Sequence, residues 1–344
     1  MRPPTRMTEF ERWERRSPLR YPGGKSGLSM YIGGVIEESL LSGCTLYEPY
    51  AGGASVSLDL LRLGFISNAV LVERDPLVYA FWRCVFDDTD RLCAAIEACP
   101  VTLDTWHMLN PVRDVDRVPS ANYTLLQLGV AGLFFNRTNF SGVIASGPIG
   151  GQSQNSAYNI ACRFNKTTIL SQVRSAARFA SRIKVHFGDA ISFLRRNSER
   201  ISTGYSLVYL DPPYYGQGRK LYRHHYQDAD HAKLAAFITA QAYPWVLSYD
   251  DHPRIRAFYS ASHMQPIYLD YKVRSSRTAQ ELVISNLKIP PPVYGDPLPL
   301  SGAAVQTNSR SRSVTLGSAP PVAADGTSTP NVDDCNRCRS EIGG

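Results

Sequence analysis

Two clusters of residues in this sequence have the types and spacing that chemistry requires. The first is Leu207-Val208-Tyr209-Leu210-Asp211-Pro212-Pro213-Tyr214, four apolar residues that stop abruptly at a carboxylate, two prolines and an aromatic ring. Proline cannot continue a central strand ladder, so the pair sets a rigid turn just past the strand's carboxyl end. Such a turn presents a carboxylate, the Pro212 carbonyl and an aromatic face together. An exocyclic amine on a planar base needs two acceptors for its two protons and a π face to stack on. The second cluster is Tyr47-Glu48-Pro49-Tyr50-Ala51-Gly52-Gly53-Ala54-Ser55, a strand entering a glycine turn and then a helix, followed by Ala69-Val70-Leu71-Val72-Glu73, a strand ending in a carboxylate. The glycines allow a ligand close to the backbone, and an acid at the end of the next strand is where doubly wound folds bind ribose hydroxyls. Together they read as a nucleoside site, although the G-x-G-x-x-G spacing of a dinucleotide site is missing.

The elements that position these clusters follow from hydrophobic pattern. Short apolar runs at Thr45 to Glu48, Ala69 to Glu73, Ile183 to Phe187, Ser206 to Leu210 and Trp245 to Ser248 read as buried strands. Helical patterns at Ala54 to Leu63, Leu77 to Phe86, Ala190 to Arg196 and Ala229 to Ala242 follow the first four, the last behind a candidate cap at Asp228. Alternating strand and helix predicts an α/β fold with a parallel sheet covered on both faces. Gln265 to Tyr271 and Gln280 to Ser285 are expected to pair as an antiparallel edge. The stretch 87–165 breaks the rhythm with helix-like segments, an Asn/Arg/Thr/Asn run and a Gly/Ser/Gln-rich patch, and reads as an inserted module. The expected division is a leader over 1–16, a catalytic domain over 17–86 and 166–289, the insert over 87–165 and a flexible tail over 290–344, since the tail lacks the apolar residues to build a core.

Composition excludes several classes. With 344 residues, 43% hydrophobic and 19% charged, the chain is neither disordered throughout nor fibrous. No apolar run approaches the roughly 20 residues of a membrane span, and Met1 to Arg16 has no apolar core of a secretory signal, so a cytoplasmic protein without a membrane partner is expected. Seven cysteines at irregular spacing predict reduced thiols, and the lone Cys335-x-x-Cys338 lacks the second pair of a zinc site, so no metal is expected. The net charge is +7, and because the segment from Pro290 onward holds four basic and five acidic residues, the folded body carries 33 basic against 25 acidic residues, or +8. That excess suits a polyanion. The basic run Arg219 to Arg223 with His224 and His225, and Ser275-Ser276-Arg277, read as solvated loops, with a DNA-channel lining and a phosphate contact as the respective alternatives.

Taken in order, the motifs resemble one family, the N6-adenine DNA methyltransferases of the DPPY type, in the class of the bacterial GATC adenine methylases. The resemblance rests on Leu19-Arg20-Tyr21-Pro22-Gly23-Gly24-Lys25, Glu48-Pro49-Tyr50-Ala51-Gly52-Gly53, Glu73, Phe135-Asn136-Arg137-Thr138-Asn139-Phe140-Ser141-Gly142, Arg163-Phe164-Asn165 and Asp211-Pro212-Pro213-Tyr214. It implies a Rossmann-like sheet binding S-adenosylmethionine, with a mainly helical target-recognition domain inserted after the second strand. It implies cofactor contacts at Tyr21 and Lys25, at Ala51, Gly52 and Gly53 along the methionine moiety, at Glu73 on the ribose, at Asp189 on the adenine amino group, and at Asp211. Asp211, Pro212 and Tyr214 are the implied catalytic residues: two acceptors for the amine protons and a ring stacked on a base flipped from double-stranded DNA. The loop from Asn136 to Gly142 is implied to meet DNA, with Arg137 on phosphate, Asn139 beside it and Phe140 as a wedge, and Arg20 is a further DNA contact. Phe140-Ser141 stands where family members often have tyrosine and asparagine. Such enzymes can work beside a cognate restriction endonuclease, and no obligate protein partner is evident. The rival readings are an N4-cytosine DNA methyltransferase, which more often carries Ser-Pro-Pro-Tyr, a protein-glutamine methyltransferase, which would carry Asn at 211, and a catalytically silent DNA-binding protein.

Overall fold

The computed structural model describes residues 17–20, 26–216, 226–270 and 278–291. Their chain order is α1 (Ser26–Glu38), β1 (Cys44–Pro49), α2 (Ser55–Leu63), β2 (Ile66–Glu73), α3 (Pro76–Asp87), α4 (Thr89–Ala98), α5 (Leu103–Leu109), α6 (Leu125–Thr138), α7 (Lys166–Ala177), β3 (Ile183–Phe187), α8 (Ala190–Arg196), α9 (Ser198–Thr203), β4 (Ser206–Leu210), α10 (Asp228–Thr239), β5 (Trp245–Asp250), α11 (Pro253–Phe258), β6 (His263–Asp270) and β7 (Thr278–Ser285). The seven strands form one sheet in the order β3-β2-β1-β4-β5-β7-β6. The first five are parallel, and β7 runs antiparallel between β5 and β6. All five expected strands and the closing hairpin are present, with ends shifted by at most three residues.

The period-two alternation of the strands sends side chains to opposite sides of the sheet. Leu46, Leu207 and Tyr209 enter a core with Leu28 and Ile32 of α1, Leu58 of α2 and Phe81 of α3. Tyr47, Val208 and Leu210 enter a second core with Leu194 of α8, Leu234 and Ile238 of α10 and Ile255 of α11. Both faces of the sheet are therefore covered, which explains why every residue of β4 is buried.

The segment 87–165 runs from the end of α3 to the cap of α7. Thr124 and Gln127 close a capping box on α6, and the Asn165 side chain accepts from Thr168 N–H to start α7. Helix α6 lies almost in backbone contact with α3: a Cβ on Gly132 would stand 2.6 Å from the Leu77 carbonyl oxygen, and one on Gly129 3.1 Å from that of Ala80. Leu128, Leu133 and Phe134 of α6 join the same core as the sheet. The helices of the insert thus share one core with the catalytic sheet, and the described residues all fall in one compact unit.

The expected helix cap at Asp228 is corrected. Gln227 occupies the cap position, where the Asp230 carboxylate reaches back to its N–H at 2.9 Å. Asp228 instead takes both Nε and Nη2 of Arg254 at 2.9 Å, together with the Tyr215 hydroxyl at 2.8 Å. A bidentate guanidinium is a stronger partner than a backbone N–H. Tyr21, Lys25, the leader over 1–16, His224, His225, the run Arg219 to Arg223, Ser275 to Arg277 and the tail with Cys335 and Cys338 lie outside the described residues. Among the described residues no helix is long and apolar enough to cross a membrane.

Candidate active site

Strand order reverses between β1 and β4: the chain builds outward through β2 and β3 on one side and through β5 on the other. A crevice opens beyond the carboxyl ends of two such strands, and ligands of open α/β sheets bind there. The second and first sequence clusters are the loops that leave β1 and β4, so the topology brings them together.

Three of the five residues leaving β1 have left-handed backbone, Tyr50 at φ 84°, Gly52 at 44° and Ala54 at 48°. The turn is tied down on all sides. Tyr50 and Ala51 both donate to the Val72 carbonyl at 3.1 Å, Gly52 N–H donates to Glu73 Oε2 at 2.8 Å, and the Gly52 carbonyl accepts from Trp82 Nε1 at 2.8 Å. Ala54 has no side chain with which to cap α2, and Glu48 does that work from the strand, accepting from Ser57 N–H at 3.2 Å and from the Ser57 hydroxyl. Glu73 also accepts Asp75 N–H on Oε1 at 2.8 Å, so each of its oxygens already holds one backbone amide. Burial, with the nearby Asp75 charge, pushes its carboxyl up to about 7 against the lowering effect of those amides. Gly188 donates to the Glu73 carbonyl at 3.0 Å, which sets the adjoining Asp189 beside this strand end. Asp189 caps α8 through Oδ1, accepting Ser192 N–H at 2.9 Å.

The loop after β4 is held by three side chains from neighbouring strands. Ser248 of β5 donates its hydroxyl to Asp211 Oδ1 at 3.0 Å. A serine hydroxyl has one proton, so Tyr209, 2.9 Å away, donates to Ser248 and completes a buried relay that sets the carboxylate's rotamer. Asp250, the last residue of β5, accepts Tyr215 N–H on one oxygen and Gly216 N–H on the other, both at 2.9 Å. Glu281 of β7, 2% exposed, accepts the Tyr214 hydroxyl at 2.7 Å. Pro212 and Pro213 are buried while Asp211 and Tyr214 are half-exposed, so the two prolines give the turn a rigid, buried base.

The sequence reading missed Ser248, Asp250 and Glu281. Asp250 repeats the pattern of an acid ending a buried strand and was legible in that sense. Glu281 reaches the site only through the antiparallel register that places it opposite Asp250.

The loop expected to meet DNA divides in two. Arg137 is corrected: it is 8% exposed, with Nε on the Pro18 carbonyl at 2.8 Å and Nη2 on that carbonyl and on Gln172 Oε1, the latter at 3.0 Å. Burial and the neighbouring Arg20 charge lower its pKa, to about 9, and it cannot reach a phosphate from there. Asn139 is corrected as well. It is fully buried, donates to the Val143 and Ile144 carbonyls at 3.1 and 2.9 Å, and accepts Trp106 Nε1 at 2.7 Å. Both satisfy backbone carbonyls that the loop would otherwise leave unpaired. Asn136 grips Arg20 from both sides, accepting its N–H at 2.6 Å and donating to its carbonyl at 2.8 Å. Gly142, at φ 75°, packs so closely there that a Cβ would stand 2.7 Å from the Arg20 carbonyl oxygen. Arg20 and Phe140 are both exposed, Phe140 by 46%.

The parallel strands β3-β2-β1-β4-β5, covered by helices on both faces, form a Rossmann-like doubly wound sheet with the Asp-Pro-Pro-Tyr loop at its switch point. Residues 21–274 match the model of the D12 class N6 adenine-specific DNA methyltransferases, and the chain belongs to that family. It is a site-specific, adenine-specific DNA methyltransferase. Of solved structures, PH1948 from Pyrococcus horikoshii, described as a "putative RNA methyltransferase", is similar at 11% identity and a TM-score of 0.36, over 78% of this chain and 86% of that one. No curated protein matches the sequence at a significant level.

Proposed function

We propose that the methyl donor is S-adenosylmethionine and that the target adenine is turned out of the double helix into the crevice between the β1 and β4 loops. The residues at the switch point fit the donor. Gly52 and Gly53 put no side chain into the turn, and the left-handed backbone around them curves it about the crevice, as the methionine moiety requires. The Glu73 oxygens keep acceptor capacity beyond their two amides, as a ribose diol requires. Asp189 spends Oδ1 on the helix cap, and its other oxygen is proposed to accept from the cofactor's adenine amino group. Tyr21 and Lys25 are proposed as further contacts.

When bound, S-adenosylmethionine supplies a methyl group on a sulfonium, which needs no activation beyond a correctly aimed nucleophile. The protein's task is to aim it. The N6 lone pair of adenine is delocalised into the ring; Asp211 and the Pro212 carbonyl each accept one N–H and hold the nitrogen with its lone pair toward the methyl group. Tyr214 stacks on the base, and Phe140 fills the gap it leaves. Positioning supplies most of the acceleration in such a step. One observation carries the reading: the Asp211 carboxylate is fixed by the Ser248 to Tyr209 relay rather than left to solvent.

The experiment is mass spectrometry of digested DNA from cells expressing the protein, with Asp211→Ala as control. N6-methyladenine that vanishes in the control is the expected result. N4-methylcytosine would make the enzyme a cytosine methyltransferase, and substantial N6-methyladenine from the variant would remove Asp211 from its role.

A further inference from the structure

Tyr214 needs only a π face to stack on a base, and phenylalanine would supply one. The hydroxyl has a purpose of its own, because it donates at 2.7 Å to a carboxylate that is 2% exposed. Burying a carboxylate costs several kcal/mol unless donors compensate it, and the Tyr214 hydroxyl is one such donor. The placement of Glu281 explains the contact. Glu281 stands opposite Asp250 in the β5–β7 ladder. Asp250 holds the backbone just after Tyr214, at Tyr215 and Gly216, both at 2.9 Å. Glu281 holds the far tip of the Tyr214 ring. One pair of hydrogen-bonded strands therefore holds the backbone beside this residue and the tip of its ring, which restricts its two side-chain torsions.

We infer that Glu281 is a positioning residue for methyl transfer, setting the plane of Tyr214 on which the target base stacks. The inference rests on the proposed role of Tyr214 in the flipped complex. In methyl transfer Glu281 acts through its hydrogen bond to the Tyr214 hydroxyl, so the two residues are energetically coupled. A ring held in advance spares the enzyme an ordering step after the base arrives. The effect belongs to kcat and to the stacked state of the base, while affinity for cofactor and for duplex, made elsewhere, is untouched.

The test is a double-mutant cycle on the full chain, with kcat and KM measured on unmethylated plasmid DNA. It is paired with 2-aminopurine fluorescence in a duplex substituted at the adenine identified by sequencing modified DNA. Glu281→Ala and Tyr214→Phe should each lower kcat by about tenfold, the worth of one hydrogen bond to a charged acceptor. The double variant should fall no further than either single one. Glu281→Gln, whose amide oxygen still accepts the phenol proton, should recover to within about threefold of wild type, since a neutral acceptor forms a weaker bond. Full kcat in Glu281→Ala, losses that multiply in the double variant, or a change confined to KM would overturn the inference. Should Glu281→Ala fail to fold, full kcat in Tyr214→Phe would overturn it equally, because that change removes the same bond from its other end. Failure of the functional reading is seen separately, as wild-type protein that leaves no N6-methyladenine.

Discussion

Arg137 offers the sharpest test of how the tertiary structure reassigns a residue. An arginine in an Asn-Arg-Thr-Asn run beside an exposed phenylalanine has the look of a phosphate contact, yet its guanidinium is inside the protein, bonded to the Pro18 carbonyl and to Gln172. Truncation by Arg137→Ala would remove the guanidinium bonds to both of these acceptors. Each hydrogen bond from a charged group contributes about 1.5–3 kcal/mol, so the loss over two acceptors is about 3–6 kcal/mol. In a body of this size about 1 kcal/mol moves Tm by roughly 2 °C, which predicts a fall of about 6–12 °C in a thermal melt. Arg137→Lys keeps the charge but not the planar fork that serves two acceptors, and should recover only part of the loss. The complementary measurement is the salt dependence of DNA affinity, taken well below Tm. Each phosphate contact contributes about 0.9 to the slope of log K against log salt, and Arg137→Ala should leave that slope unchanged. A shallower slope with an unaltered Tm would refute the structural role and restore the phosphate contact.

Other expectations follow from the same geometry. Glu73 has a folded pKa of about 7 against 4.5 ordinarily, so on its own it favours the folded state fully below pH 4.5 and loses that contribution as pH rises through 7. Cofactor binding runs the other way, because the ionised carboxylate is the better acceptor: calorimetry with S-adenosylhomocysteine should show affinity falling by up to about tenfold from pH 8 to pH 6, and Glu73→Gln should flatten that profile. Gly132→Ala drives a methyl group into the Leu77 carbonyl at 2.6 Å and should cost about 1–3 kcal/mol, read as a lower denaturant midpoint; an unchanged midpoint would mean that α6 and α3 yield without strain. Phe140→Ala should weaken 2-aminopurine flipping by about tenfold, the size of one lost aromatic contact with the vacated gap, and leave cofactor affinity alone; equal losses in both would count against the wedge.

Much of the fold and half of the site could be read from local signals. Buried strands announce themselves as short apolar runs, and in an open sheet the residues that end such runs gather at one edge. Glu73, Asp189 and Asp211 were legible for that reason, before any contact was known. The glycine turn was legible because left-handed backbone at Gly52 is a local demand. Polar residues outside regular strands carry no comparable signal. The family resemblance set the loop from Asn136 to Gly142 on DNA, but Asn136, Arg137 and Asn139 lie at the carboxyl end of α6, where Pro18, Arg20 and the Val143 and Ile144 carbonyls need donors. Only folding brings residues 18 and 137 together.

The sequence by itself determined the order of strands and helices, the acids at the strand ends and the rigid Asp-Pro-Pro-Tyr turn, because each depends on neighbours a few residues away. The tertiary structure alone decided which groups hold that turn. Ser248, Asp250 and Glu281 reach it across 34 to 67 residues of chain, through the pairing of β4 with β5 and of β5 with β7, and strand register is settled by the burial of whole faces rather than by any residue on its own.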